Sequence, residues 1–129
     1  MRIQGKFEVE IQPEPPFDSV EGVSLGRLRV DKRFSGPLEA TSQVHMLAVQ
    51  TPVEGSGAYV AVERIQGSLE GKRGSFVVIH TGIRTRGEPS LELNIVPDSG
   101  SGELKGISGA IEIQIVDGKH FYALEYELS

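Results

Sequence analysis

The sequence has no cysteine among its 129 residues. This absence excludes a disulfide framework, a thiolate metal site and a cysteine nucleophile. Long apolar runs are missing as well: no segment is suited to crossing a bilayer, and residues 1–6 lack the apolar stretch of a secretion signal. We therefore expect a soluble, cytoplasmic protein with no membrane partner.

Basic residues are fewer than acidic ones, with 13 Lys and Arg against 18 Asp and Glu and a formal net charge of −5. The two signs are interleaved, so the basic stripe that follows nucleic-acid phosphates is missing. We expect no nucleic-acid partner. The three histidines are scattered without metal-ligand spacing, and we expect no metal and no cofactor. The length suits one domain over residues 1–129.

What the sequence does have is alternation of apolar and polar residues, bounded by Gly, Pro, Asp and Ser clusters. Phe7, Val9 and Ile11 alternate with charged or amide neighbours, which is typical of a half-buried antiparallel strand. Nothing predicts a long helix. The same pattern predicts about eight strands, at 4–12, 27–34, 38–50, 57–71, 74–84, 90–98, 103–116 and 119–128.

Short turns between successive strands favour a closed antiparallel meander barrel over a sandwich. Eight such strands need no Greek-key crossover, and closure removes both exposed edges. An eight-stranded barrel has an interior just wide enough to be filled by side chains or to hold one small ligand. The inward apolar faces predict a core of Phe7, Val9, Ile11, Leu28, Val30, Phe34, Val44, Met46, Ile65, Leu69, Phe76, Val78, Leu91, Leu93, Ile95, Ile111, Ile113, Ile115, Leu124 and Leu128.

Polar-tipped side chains share these inward faces. Alternation in 57–71 turns Tyr59 and Glu63 inward. A tight turn at 71–74 would pair Leu69 with Phe76 and Ile65 with His80, so that Glu63 lies diagonal to His80, within reach for long side chains.

The Asp117-Gly118 dipeptide is a strong hairpin signal that pairs Ile113 with Tyr122, and it turns Tyr122 and Tyr126 inward. A carboxylate, an imidazole and phenols inside an apolar barrel are groups that orient a ligand or transfer a proton. We take Tyr59, Glu63, His80 and Tyr122 as candidate ligand-binding residues, with Glu63 and His80 as the catalytic candidates.

A structural role for the same residues is an open alternative. Glu63 and His80 either serve a ligand, satisfy each other and nearby backbone groups, or reach solvent at the barrel rim. A one-residue bulge would turn either of them outward. His45 shares its face with polar neighbours and is expected on the surface. His120 adjoins the Asp117-Gly118 turn and is expected at the rim.

Two runs carry a family resemblance: VERIQGSLEGKRGSFVVIHTG at 62–82 and VPDSGSGELKGISG at 96–109. They resemble a family of small bacterial proteins of unknown function, and the likeness covers almost the whole chain. The family's fold is similar to the barrel of allene oxide cyclase, which implies a closed eight-stranded meander. Those cyclases hold a fatty-acid epoxide in an apolar barrel and cyclise it largely by shaping it, and a buried glutamate assists. No cyclase motif matches residue by residue, so Glu63 is a candidate by its position alone.

Three functions follow as hypotheses. The first is a barrel that binds a small hydrophobic or amphipathic ligand. The second is an isomerase or cyclase in which Glu63, shielded from water, has a raised pKa and acts as acid or base. The third is a structural module with a filled core. Because related barrels often associate, a homo-oligomer is a further expectation.

Overall fold

The computed structural model describes all residues from Met1 to Ser129. Every regular element is a β-strand, as the alternating sequence predicts. The ten strands are β1 (Arg2–Pro13), β2 (Asp18–Val20), β3 (Val23–Ser35), β4 (Leu38–Gln50), β5 (Gly57–Leu69), β6 (Lys72–Thr85), β7 (Glu88–Ile95), β8 (Ser101–Gly102), β9 (Ile107–Val116) and β10 (Lys119–Leu128).

Eight of these strands close into an antiparallel meander barrel. Their order is β1-β10-β9-β7-β6-β5-β4-β3, and a β1–β3 pairing completes the circuit, while β2 and β8 are short additions at the edges. When the paired residues are followed from strand to strand around the barrel, starting at Ile3 of β1, the path returns to β1 at Pro13. It has then shifted by ten residues along the strand. This shear tilts the strands by roughly 35–45° to the barrel axis.

The two ends of the barrel differ. One end, which we call the closed end, carries the turns 36–37 and 70–71 and the long connection 96–106. Leu104 of that connection is 1% exposed, because it packs under the barrel against the main core cluster. The other end, called the open end, carries the connections 14–22, 51–56, 86–87 and 117–118.

The core is densest toward the closed end. Seventeen buried residues form one cluster there, which includes Phe7, Phe34 and Phe76. A much smaller cluster, made of Val30, Val44 and Ala61, lies toward the open end. Four buried polar side chains, Lys32, Ser42, Glu63 and His80, lie between the two clusters.

The β5–β6 hairpin differs from the sequence prediction. The turn is Glu70-Gly71, with φ of 48° and 84°, and not the segment 71–74. Leu69 therefore pairs with Lys72 and Ala61 with His80, which shifts the register by four residues. Because four is an even number, every inward side chain stays inward.

Two further strand bounds were predicted wrongly. The predicted strand 103–116 begins only at Ile107, because 103–106 form turns that carry Leu104 into the core. The predicted strand 90–98 spans Glu88–Ile95.

Three residues expected in the core are exposed: Ile11 by 58%, Leu91 by 45% and Ile115 by 65%. All three lie toward the open end, away from the connection 96–106 that packs Leu104 against the main core cluster. Leu91 and Ile115 also flank the weakest seam of the barrel. There β7 and β9 share two residue pairs, Leu93 with Ile111 and Asn94 with Ala110, and the pairing goes no further toward the open end.

With strands as its only regular elements, the structure contains no helix of the length and apolarity that crossing a membrane requires.

Candidate functional site

Glu63 lies inside the barrel, on β5, and is 1% exposed. Alternation along β5 puts it in the same inward row as Ala61 and Ile65, as the sequence predicts. His80 on β6 is 2% exposed and stands diagonal to Glu63, because Ala61 is its direct partner. The sequence-based placement of both residues in the lumen is confirmed.

Three side chains donate hydrogen bonds to the Glu63 carboxylate. His80 donates its Nε2–H to Oε1 at 2.7 Å, and Lys32 donates to the same oxygen at 3.3 Å. Ser42 donates to Oε2 at 2.5 Å. We call Lys32, Ser42, Glu63 and His80 the polar cluster. Charge-assisted bonds of this kind are stronger than neutral ones, and they hold the carboxylate in one orientation.

The pKa of Glu63 is lowered from its ordinary value of 4.5. Burial is the largest influence and would raise this pKa, but the hydrogen bonds from His80 and Ser42 and the charge of Lys32 together outweigh it. The expectation of a raised pKa was therefore wrong, because it counted the shielding and missed the donors. Glu63 is an ionised acceptor at neutral pH and has no proton to give.

Lys32 provides the positive charge that balances Glu63. Its ammonium group also lies 5.1 Å from the ring centre of Phe7 and 5.9 Å from that of Phe34, within the range of cation–π attraction. An ammonium group has three N–H donors, and one of them is used by Glu63. The other two N–H groups of Lys32 make no hydrogen bond within the chain.

Tyr59 lies beside His80, with ring centres 6.2 Å apart in an edge-to-face arrangement. Its ring lies over Gly82, where a Cβ would come within 2.5 Å of the Tyr59 ring. Burial, and then the charge of Glu63, raise the pKa of Tyr59 above 10.0. The Tyr59 hydroxyl and the His80 Nδ1 have no hydrogen-bond partners within the chain. Both therefore have hydrogen-bonding capacity that the chain does not use.

Tyr122 also points inward, but the structure places it away from the polar cluster. Its hydroxyl accepts the N–H of Leu38 at 3.1 Å and donates to the carbonyl of Ser35 at 3.0 Å. These bonds tie β10 to the turn between β3 and β4. The structure therefore brings Tyr59, Glu63 and His80 together and leaves Tyr122 at the closed end, where Tyr126 is also buried.

Lys32 and Ser42 were not among the sequence-predicted site residues. The alternation of inward and outward side chains along a strand could have identified them. Lys32 lies midway between the inward Val30 and Phe34 on β3, and Ser42 lies midway between the inward Ala40 and Val44 on β4. The other two histidines are where the sequence predicts. His45 is exposed on the outer wall, and His120 is half-buried with its ring centre 5.2 Å from that of Phe7.

A concavity of about 1020 Å³ lies on the outer wall, across β1 and β3 to β6, and its lining includes Lys32, Ser42 and Glu63 of the polar cluster. Its outward side chains carry both signs of charge, with Glu8 and Glu10 near Arg33 and Arg64. These four side chains are exposed, whereas the polar cluster on the inner side is buried. No group of three or more His, Cys, Asp or Glu residues in the structure is placed to hold a metal ion.

Comparison with known proteins identifies a family and a solved structure with the same fold, and both are described as being of unknown function. A family model described as "Protein of unknown function (DUF3224)" matches residues 3–126. A crystal structure at 1.84 Å resolution, of a DUF3224 protein of unknown function from Shewanella oneidensis MR-1, is 45% identical with a TM-score of 0.94. The match covers 100% of this chain and 98% of that one. No curated protein matches the chain.

Proposed function

Starting from the fact that this chain belongs to the DUF3224 family of proteins of unknown function, we propose that it binds a small amphipathic ligand in the barrel lumen. The observation that carries the proposal is that the polar cluster and the neighbouring half-buried Tyr59 have hydrogen-bonding capacity that the chain itself does not use. A cluster built for stability alone would satisfy its own groups. Here Lys32, the His80 Nδ1 and the Tyr59 hydroxyl remain available.

The surroundings of the cluster favour a ligand with an apolar part. Val30, Val44 and Ala61 line the lumen above it, and Met46 and Tyr59 pack against them while remaining half-buried. Ligand sites in proteins are mostly apolar concavities with a few placed polar groups. We therefore assign the polar end of the ligand to the cluster and its apolar part to the space toward the open end.

The proposal is tested by titrating octan-1-ol into the protein and by native mass spectrometry of protein purified from cells. We expect saturable binding and a retained small molecule in the wild type. The double variant Lys32→Met/Glu63→Gln, which removes both charges together, should bind at least about tenfold more weakly. Glu39→Gln, an exposed carboxylate on β4, is the matched control and should bind as the wild type does.

The proposal would be overturned if native mass spectrometry finds the wild type without any bound small molecule and the wild type also fails to bind octan-1-ol, octanoate and cyclooctanol. Each of these three probes has eight carbons, and they differ in head group or in being linear or cyclic. Their joint failure would mean that the lumen accepts no ligand of this size and that the cluster is structural.

A second candidate function is proton transfer by His80 with Glu63 as the group that orients it. The 2.7 Å bond from Nε2–H to the ionised carboxylate favours it, because a neutral ring then has Nδ1 as a free base. An isomerase or cyclase in a barrel of the allene oxide cyclase type is the finer form of this candidate, and the closed eight-stranded meander supports it by analogy of fold. This candidate would be removed if a substrate is turned over by the His80→Gln variant at the same rate as by the wild type.

A further inference from the structure

The β7–β9 seam opens at the same height as the polar cluster. Following the residue pairs once around the barrel shifts the position by ten residues over eight strands, so paired residues do not lie at the same height along the barrel axis. In the direction from β6 through β7 to β9, the residue at equal height lies a little more than one position toward the open end at each strand. Leu93 is the direct partner of His80 on β7. One inward step further toward the open end is Leu91, and continued pairing would place Ile113 of β9 opposite it.

Here the wall is not closed by hydrogen bonds. Residues 88–92 of β7 and 112–116 of β9 face each other without pairing, whereas the other neighbouring long strands share at least six residue pairs. Unpaired strand edges are usually short or covered in native proteins. The inward side chains along this opening are apolar: Leu91 is 45% exposed, Ile115 is 65% exposed and Ile113 is half-buried.

A path leads from this opening to the cluster. Gly82 is the β6 partner of both Leu91 and Tyr59, and its missing side chain leaves room for the Tyr59 ring, which reaches His80. An entering molecule thus meets aliphatic side chains first, then an aromatic ring with a free hydroxyl, and then the imidazole.

We propose that the β7–β9 seam is a side entrance to the lumen, and that the ligand is a linear aliphatic chain with an uncharged oxygen-bearing head group. This rests on the proposed function. The chain lies along Leu91, Ile113 and Ile115, and the head group binds at Lys32, Tyr59 and His80. The head group is uncharged because Glu63 already balances Lys32, and a second carboxylate beside Glu63 would meet like charge in a shielded site. The chain is taken as linear so that it can pass between the unpaired segments 88–92 and 112–116.

The test uses the natural lack of cysteine to lock the seam. In Leu91→Cys/Ile113→Cys the two thiols are joined by oxidation, or by a short bismaleimide if the strands stay more than roughly 7 Å apart. The matched control is Thr41→Cys/Gln66→Cys, an outward pair across the fully paired strands β4 and β5. We expect octan-1-ol to associate at least about tenfold more slowly with the locked seam and at the wild-type rate with the control. For the disulfide form, reduction restores the rate.

The probe series tests the ligand class. Octan-1-ol should bind more tightly than cyclooctanol, which is not linear, and more tightly than octanoate, which is charged. Equal or tighter binding of either competitor overturns that part of the proposal. Unchanged octan-1-ol kinetics in the locked protein overturns the side entrance while leaving lumen binding intact. If locking instead dissociates an oligomer, a second copy occupies the seam and the inference falls.

Discussion

Replacing Glu63 by glutamine should strongly destabilise the fold. The carboxylate accepts bonds from His80, Ser42 and Lys32, and a glutamine side chain has one acceptor oxygen for these three donors. It also leaves the Lys32 ammonium, whose side chain is 7% exposed, without a counter-charge. Removing one partner of a buried ion pair costs about 3–5 kcal/mol. A domain of this size has a total stability of about 5–15 kcal/mol, so the loss is easily measured.

The assay is urea unfolding of the wild type, Glu63→Gln and the double variant Lys32→Met/Glu63→Gln, followed by far-ultraviolet circular dichroism. Because the double variant removes the orphaned charge, it should recover much of the loss. The control Glu39→Gln should lie within about 0.5 kcal/mol of the wild type. A loss below about 1 kcal/mol for Glu63→Gln, with no recovery in the double variant, would refute the reasoning that the cluster is desolvated and mutually dependent.

Three further predictions follow from the same contacts. The pKa of Glu63 is lowered in the folded state, so the stabilisation from its ionised carboxylate is complete above pH 4.5 and is lost as the pH falls through the folded-state pKa. The difference in unfolding free energy between the wild type and Glu63→Gln should therefore shrink below pH 4.5. A difference that widens below pH 4.5 would contradict this prediction. Burial, with a hydrogen bond to Glu70 and its charge, raises the pKa of Tyr126 to about 12, and the pKa values of Tyr59 and Tyr122 are raised as well, so an ultraviolet titration should find no tyrosine with a midpoint at 10. Tyr122→Phe leaves the buried Leu38 N–H without its acceptor and should cost about 1–3 kcal/mol while leaving octan-1-ol affinity unchanged; a weakened affinity would return Tyr122 to the ligand site.

The sequence predicts the barrel and the inward direction of Glu63 and His80 because strand alternation has period two. An error in the β5–β6 turn shifted the pairing by four residues, yet it kept both side chains in the lumen. The turn was missed because Glu70-Gly71 is a weaker signal for positive φ than Asp117-Gly118, where the prediction was confirmed.

What alternation cannot predict is whether an inward face is covered. Ile11 and Ile115 share the parity of core residues but lie toward the open end and are exposed. Leu104, by contrast, is buried because a connection folds beneath the barrel, and no local pattern predicts that. Lys32 and Ser42 are single polar residues at inward positions that are otherwise apolar. Their role could not be predicted from the strand pattern, because it depends on Glu63, their partner on another strand.

The most direct test of ligand binding at the polar cluster is the nitrogen chemical shifts of the three histidine rings, recorded while octan-1-ol is added. If the lumen receives the alcohol as proposed, the Nδ1 signal of His80 shifts with saturation while Nε2 keeps its bond to Glu63, and the exposed His45 does not respond. A His80 ring whose signals stay fixed as the alcohol is added, or shift only in step with those of His45, would contradict the account.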